Sequence, residues 1–433
     1  TRAYCPAPSC LPSRTATMTG LAPHRTGVYS NGQVWRQALP DAVTLPQYFM
    51  QQGYRAAGAG KIFHHYQNDP KSWHDFFPGP RMQFPTYAKP KDEERSKFPR
   101  WEGIYYSFDW GPLDVPDADT GDWQAVSYVI RQLRKPEQDG KPLFLACGIY
   151  RPHVPWYVPR KYFEMFPLKS VKLPPLYEED VADLPQESRK MVQRHRYYRA
   201  MVEHDQMKQT VQAYLASMAY TDMLVGRLLT ALDQSPHADN TIVVFWSDHG
   251  WHLGEKHWYR KFTLWEESCR VPLIIRLPKS LPKSKQAAAG ARCERTVSLL
   301  DLYPTLIELC GLEPRQDLDG HSLVGLLREP TAAWPHAAVS SLGPKRHTVR
   351  SERWRYIRYG AGGEELYDHD QDPNEWANLA GTKAYRQVLE KMRARLPRQA
   401  APVAKTDRFD KKVYFETYKA EITAARKREQ LKR

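Results

Sequence analysis

Three apolar stretches of this 433-residue chain end abruptly in polar residues. Residues 54–60 run into Lys61, residues 143–150 into Arg151-Pro152-His153, and residues 241–246 into Ser247-Asp248-His249. Each stretch is nearly continuous in apolar side chains, the pattern of a strand covered on both faces in a parallel sheet. Helical periodicity lies between them. Residues 124–134 follow Asp122, which reads as an N-cap, and residues 214–232 align Leu215, Met218, Val225, Leu228, Leu229 and Leu232 on one face. Alternating strands and helices predict an open α/β sheet, whose ligands gather beyond the carboxyl ends of the strands. All three polar clusters fall at such ends.

The character changes after an apolar helix over 302–311 that closes on Gly311. Short strands at 337–340, 347–350, 354–359 and 365–367 predict a small antiparallel sheet, and Asp372-Pro373-Asn374 marks a turn. This divides the chain into a catalytic α/β domain over 1–335, an antiparallel-sheet subdomain over 336–399 and a basic, helical tail over 400–433. The opening Thr1-Arg2-Ala3-Tyr4-Cys5 lacks the charged-then-apolar order of a signal peptide. It reads as the tail of a strand, with residues missing upstream.

Charge adds one constraint. Sixty-three basic against 49 acidic residues leave +14, a field that concentrates anions. No zinc-finger spacing or RNA-recognition motif accompanies it, which sets nucleic acid aside. An acidic glycan stays in view, beside the plain reading of a solvated basic surface. The six cysteines include no C-x-x-C pair, so zinc is not indicated. No run approaches the ~20 apolar residues of a membrane span.

The densest chemistry is Cys10-Leu11-Pro12-Ser13-Arg14 followed by Thr19-Gly20. Proline near the start of a helix places free backbone N–H groups and the dipole where an anion binds. Gly60-Lys61-Ile62-Phe63-His64 offers a point charge and an imidazole that titrates near neutrality. In Arg151-Pro152-His153-Val154-Pro155-Trp156 two prolines stiffen the loop that carries His153. Ser247-Asp248-His249-Gly250-Trp251-His252-Leu253-Gly254-Glu255 sets a carboxylate beside an imidazole at a strand end, a pair that can face a metal ion.

Taken together these segments resemble the formylglycine-dependent sulfatase family, in wording most like its iduronate-2-sulfatase branch. The match runs through Glu365-Leu366-Tyr367-Asp368 and Asp372-Pro373-Asn374-Glu375 to about residue 380. The resemblance implies an alkaline-phosphatase-like α/β sandwich with a mostly parallel central sheet and a small C-terminal α+β subdomain. It implies that a formylglycine-generating enzyme oxidises Cys10 to the nucleophile's precursor, with Arg14 steadying the hydrate. Lys61 and Lys261 would hold sulfate oxygens, Lys256 being the rival for the second. His64 would serve as base, with His65 beside it, and His153 would protonate the leaving alcohol. Asp248, His249 and position 10 would ligate Ca²⁺, with Mg²⁺ as the alternative. Trp251, Trp156, Arg151 and His65 would wall the sugar subsite, for a sulfated, uronic-acid-containing glycan outside the cytoplasm, in the periplasm or secreted. The family's paired aspartates, upstream of the signature, are absent from the nine residues before Cys10. Other readings are a choline- or aryl-sulfatase, a phosphodiester or phosphonate monoester hydrolase on the same fold, and a non-catalytic glycan-binding relative.

Overall fold

The computed structural model describes residues 2–64, 67–78, 89–96, 108–135, 140–282, 287, 289–408 and 410. The strand Arg55–Gly60, rich in alanine and glycine, sits in the middle of a parallel triplet. Asp75–Phe77 flanks it on one side and Leu143–Gly148 on the other, with Gly60 opposite Gly148. The pairing is close because both are glycines. A Cβ on Gly60 would meet the Gly148 carbonyl oxygen at 2.1 Å, and one on Gly148 would meet the Lys61 backbone at 2.2 Å. Two small residues thus let the chain turn into Lys61 at the sheet's carboxyl edge.

The helix Gly121–Arg134 covers this sheet with Ala125, Tyr128 and Val129 against Ala59 and Leu145. Asp122 does not cap it. Thr120 is the N-cap residue, and Asp122 lies in the first turn with its carboxylate turned toward Tyr150 and Arg151. The long helix Met207–Asp233 packs on the first and buries Ala213, Ala216, Ser217, Tyr220 and Leu224; of the leucine-rich face the periodicity predicts, Leu232 is buried and Leu228 packs against Ala125, Tyr128 and Val129. Met218 is exposed, while Leu215, Val225, Leu228 and Leu229 are only half-buried. Small residues win the inward face because they let the helix approach the aromatic core of Trp156, Tyr162 and Tyr259.

The N-terminal strand Arg2–Tyr4 lies between Thr296–Ser298, parallel, and Arg270–Val271, antiparallel. The apolar run ending in Ser247 forms the strand Val243–Trp246, which pairs antiparallel with Leu273–Arg276. It is not covered on both faces: Phe245 and Ile274 are exposed and the rest of Val243–Trp246 is half-buried, as is Leu143–Gly148 throughout. Among the described residues each of those two strands has one neighbour.

Beyond them Ala338–Gly343, Arg346–Arg350, Trp354–Arg358 and Glu364–Asp368 form a sequential antiparallel sheet. The helix Arg386–Arg393 covers it with Leu389 and Met392. Ser341 N–H donates to the Pro6 carbonyl at 2.9 Å, tying this sheet to the segment that leads to Cys10. Residues 401–404 run beside the N-terminal helices, with Ala401 N–H on the His24 carbonyl. The helical tail expected over 400–433 is not helical in its described residues 400–408 and 410, and the remainder lies outside the described residues. No helix among the described residues is long and apolar enough to cross a membrane.

Candidate active site

Cys10 is the first residue of the helix Cys10–Thr19, every residue of which is buried. Asn31 Oδ1 accepts from the Leu11 N–H at 2.8 Å, and Ser13 Oγ donates to the Asp248 carbonyl at 2.5 Å. The second bond joins the helix start to the residues just past the strand Val243–Trp246. Around the Cys10 sulfur stand Lys261 Nζ at 2.7 Å, His249 Nε2 at 3.3 Å and Lys61 Nζ at 3.6 Å. Burial alone would raise the thiol's pKa, but the ammonium groups of Lys261 and Lys61 outweigh it and hold Cys10 well below the usual thiol range. Lys61 is itself lowered to about 8, first by burial and then by the cations Arg14 and Lys261. Its ammonium also rests 4.7 Å from the Tyr150 ring centre.

Arg14 turns away from the sulfur. Its Nε donates to Asp248 Oδ2 at 2.8 Å, and its Nη1 donates to the Lys61 and Ile62 carbonyls. It therefore clamps two strand ends together. Although burial opposes ionisation of Asp248, Arg14 beside it keeps the carboxyl well below its ordinary range.

The two site histidines are oriented alike. His249 Nδ1 bonds the Gly250 carbonyl at 2.8 Å, and His153 Nδ1 bonds the Val154 carbonyl at 2.6 Å. These carbonyls assign the proton to Nδ1 in the neutral rings, so each Nε2 faces the cleft with its lone pair. Lys261 Nζ lies 3.1 Å from one and 3.3 Å from the other. Asp122 holds the His153 loop by accepting from the Tyr150 N–H at 2.6 Å and the Arg151 N–H at 3.2 Å.

Cys10, Asp248 and His249 present donor atoms within 4.8 Å of one another, the expected metal trio. They do not complete a Ca²⁺ site. Ca²⁺ takes ~6–8 oxygen ligands, whereas the trio has one carboxylate, already engaged by Arg14, among three cationic side chains. A second trio, Glu266, His369 and Glu375, is filled by Arg355, which pairs with both carboxylates.

The structure gathers Cys10, Arg14, Lys61, His153, Asp248, His249 and Lys261. His64 is half-buried in the loop three residues past Lys61, its carbonyl accepting from Gln67 N–H. His65 lies outside the described residues. Trp251 borders the cleft, 6.3 Å from His153 and 5.9 Å from the Lys261 ammonium. Trp156 and Arg151 turn their polar groups to backbone carbonyls of their own loop and strand. Trp156 is fully buried with its indole N–H on the Pro152 carbonyl, and the buried Arg151 turns its guanidinium to the Tyr157 carbonyl. Lys256, the rival to Lys261, is buried elsewhere against Asp180 at 2.6 Å. Asp122 and Asn31 were not anticipated as site residues. For Asp122 the signal is a carboxylate in the first turn of the helix that precedes the Arg151–His153 cluster.

Comparison with known proteins agrees in one direction. The family model described as "Sulfatase" matches residues 1–312, and that described as "N-sulphoglucosamine sulphohydrolase, C-terminal" matches residues 254–402. The chain is 37% identical to a sulfatase of Formosa agariphila over 93% of its own length and 79% of that protein. It is 31% identical to human iduronate 2-sulfatase over 70% of its own length, spanning 61% of that enzyme. Among solved structures it resembles the phosphonate monoester hydrolase SpPMH from Silicibacter pomeroyi, with TM-score 0.72 and 20% identity, covering 91% of this chain and 86% of that one. It also resembles a 2-O GAG sulfatase, with TM-score 0.64 and 23% identity, covering 91% and 82%. At such identities these two likenesses carry the fold, the alkaline-phosphatase-like α/β arrangement.

Proposed function

The chain belongs to the sulfatase family, and on that premise we propose that this sulfuric ester hydrolase removes sulfate from a sulfated, uronic-acid-containing glycan, using Cys10 as the precursor of its nucleophile. One observation carries the reading: a buried cysteine at a helix start meets two lysine ammonium groups and an imidazole within 3.6 Å. That cradle suits an oxygen nucleophile and a tetrahedral anion together.

Oxidised to formylglycine and hydrated, position 10 would supply one hydroxyl to attack sulfur and a second whose deprotonation releases sulfate. Lys61 and Lys261 hold the sulfate oxygens and stabilise the charge that gathers on them. His153, whose Nε2 lies 3.3 Å from Lys261 Nζ, is the proton donor to the leaving alcohol when protonated. His64 is the base toward the second hydroxyl. Arg14 fixes Asp248 and the Lys61 turn, and so shapes the cradle from behind. A divalent cation, Ca²⁺ or Mg²⁺, would meet Asp248 and His249, but the incomplete donor set leaves it outside these steps. The glycan follows from the basic body and from the iduronate 2-sulfatase likeness.

Protein made with a formylglycine-generating enzyme should show the thiol-to-aldehyde mass change in the Cys10 peptide, and Cys10→Ala should abolish turnover. A panel of sulfated saccharides, choline sulfate, aryl sulfates and matched phosphate esters then tests the substrate. Preference for a saccharide sulfate is expected. Turnover surviving Cys10→Ala, or a phosphate ester cleaved faster than every sulfate ester, would overturn the reading.

A further inference from the structure

Lys261 is presented by a contorted segment. Six non-glycine residues among those described have positive φ, and four flank Lys261: Lys256 at 55°, His257 at 50°, Arg260 at 77° and Phe262 at 76°. A fifth is Glu375 at 60°. Left-handed backbone is disfavoured for side-chain-bearing residues and persists only where the surroundings over-determine it.

Those surroundings can be traced. Phe262 N–H donates to the Pro8 carbonyl at 3.1 Å, and the Trp258 indole N–H donates to the Lys261 carbonyl at 3.0 Å. The His195 ring stacks on Trp258 at 3.5 Å, and Arg260 donates to the Tyr197 hydroxyl at 2.6 Å. At the head of the segment Lys256 is fully buried. Its ammonium donates to Asp180 Oδ1 at 2.6 Å and to the Glu375 carbonyl, and its own backbone N–H donates to Asp180 Oδ2 at 3.1 Å. The Tyr367 ring lies 5.0 Å from the ammonium. One cation therefore ties the left-handed run to a loop of the body and to the loop that follows the C-terminal sheet.

We propose that Lys256 is a positioning residue for Lys261: its ammonium, locked between Asp180 and the Glu375 carbonyl, fixes the run of left-handed residues that brings Lys261 to Cys10. The inference rests on the reading that Lys261 holds a sulfate oxygen. The loop after the C-terminal sheet thereby contributes to sulfate binding through the Glu375 carbonyl.

The test is equilibrium binding of inorganic sulfate at low ionic strength, with every variant carrying Cys10→Ala so that conversion is not a variable. Lys261→Met should weaken sulfate about tenfold, the loss of one charge-assisted hydrogen bond. Lys256→Met alone would strand Asp180, so it is combined with Asp180→Asn, which removes both buried charges at nearly constant volume. That pair should also weaken sulfate about tenfold, and adding Lys261→Met should weaken it no further. A purely structural ion pair would instead lower thermal stability and leave sulfate affinity unchanged. Wild-type-like affinity in the paired variant, or losses that multiply to about 100-fold in combination, would overturn the proposal. Unchanged affinity in Lys261→Met alone would refute the sulfate role of Lys261 itself.

Discussion

Lys261 Nζ stands 3.3 Å from His153 Nε2, the nitrogen left facing the cleft because Nδ1 is engaged by the Val154 carbonyl. A cation beside an imidazole disfavours a second positive charge there. A sulfate bound to Lys261 would offset that charge and let His153 carry the proton the leaving alcohol needs. His153→Ala should then depend on the leaving group. With a saccharide sulfate we expect kcat/KM to fall about 10²–10⁴-fold, the usual reach of general acid catalysis. With 4-nitrophenyl sulfate, whose phenolate leaves unaided, the fall should be under about tenfold. Equal losses on both substrates would assign His153 to binding.

Asp122 gives a second prediction. Its carboxylate is buried, and burial raises its pKa even though Arg151 and two backbone N–H donors favour ionisation. Asp122→Ala leaves the Tyr150 and Arg151 N–H groups without their acceptors, a cost of about 1–3 kcal/mol each. Thermal denaturation should show that loss. Steady-state kinetics should show a lower kcat, because the same two N–H groups hold the loop bearing His153. An unchanged kcat in a destabilised protein would limit Asp122 to a folding role.

Metal affinity should be weak at this site. One carboxylate facing Arg14, Lys61 and Lys261 leaves the Cys10–Asp248–His249 trio net positive. Calorimetric titration should find Ca²⁺ binding no tighter than about millimolar, the weak end of the range for such sites. Tight, stoichiometric binding would mean that further residues of this chain supply oxygen ligands.

Asp301 provides a pH test remote from catalysis. Buried, and accepting from the Ser298 and His321 N–H groups, it is raised to about 7, with burial as the main cause. A carboxyl whose folded pKa lies above its unfolded one destabilises the fold once ionised. This penalty is absent below about pH 4 and grows until about pH 7. Asp301→Asn should remove that slope, so the difference in melting temperature between wild type and variant should change between pH 4 and 7. Parallel curves across that interval would rule the effect out.

Much of this was legible in the residues themselves. The strand ends at Gly60, Gly148 and Trp246 follow from apolar runs meeting polar clusters, and the structure converges their loops on Cys10. The partners of those strands were not legible. Val243–Trp246 pairs antiparallel with Leu273–Arg276, and a run of apolar residues carries no information about which segment lies beside it. The inward face of Met207–Asp233 was legible only at Leu228 and Leu232, because hydrophobicity ranks leucine above alanine, while close helix packing favours the smaller side chain. The family resemblance favours Lys261 over Lys256, but the left-handed backbone that carries the one to Cys10 and the other to Asp180 is a property no side-chain pattern encodes.

The burial of Cys10 also sets a clock. The whole helix Cys10–Thr19 is sealed, and the strand leading into it is held by Arg270–Val271 and Thr296–Ser298. During synthesis, then, the segment waits without its partners while about 290 further residues are made, ~15–60 s at ~5–20 residues per second. Any enzyme that must oxidise Cys10 has that interval in which to find an extended peptide. Once residues 296–298 dock, the segment is no longer an extended peptide, and a chain that escaped oxidation would fold around an unconverted cysteine.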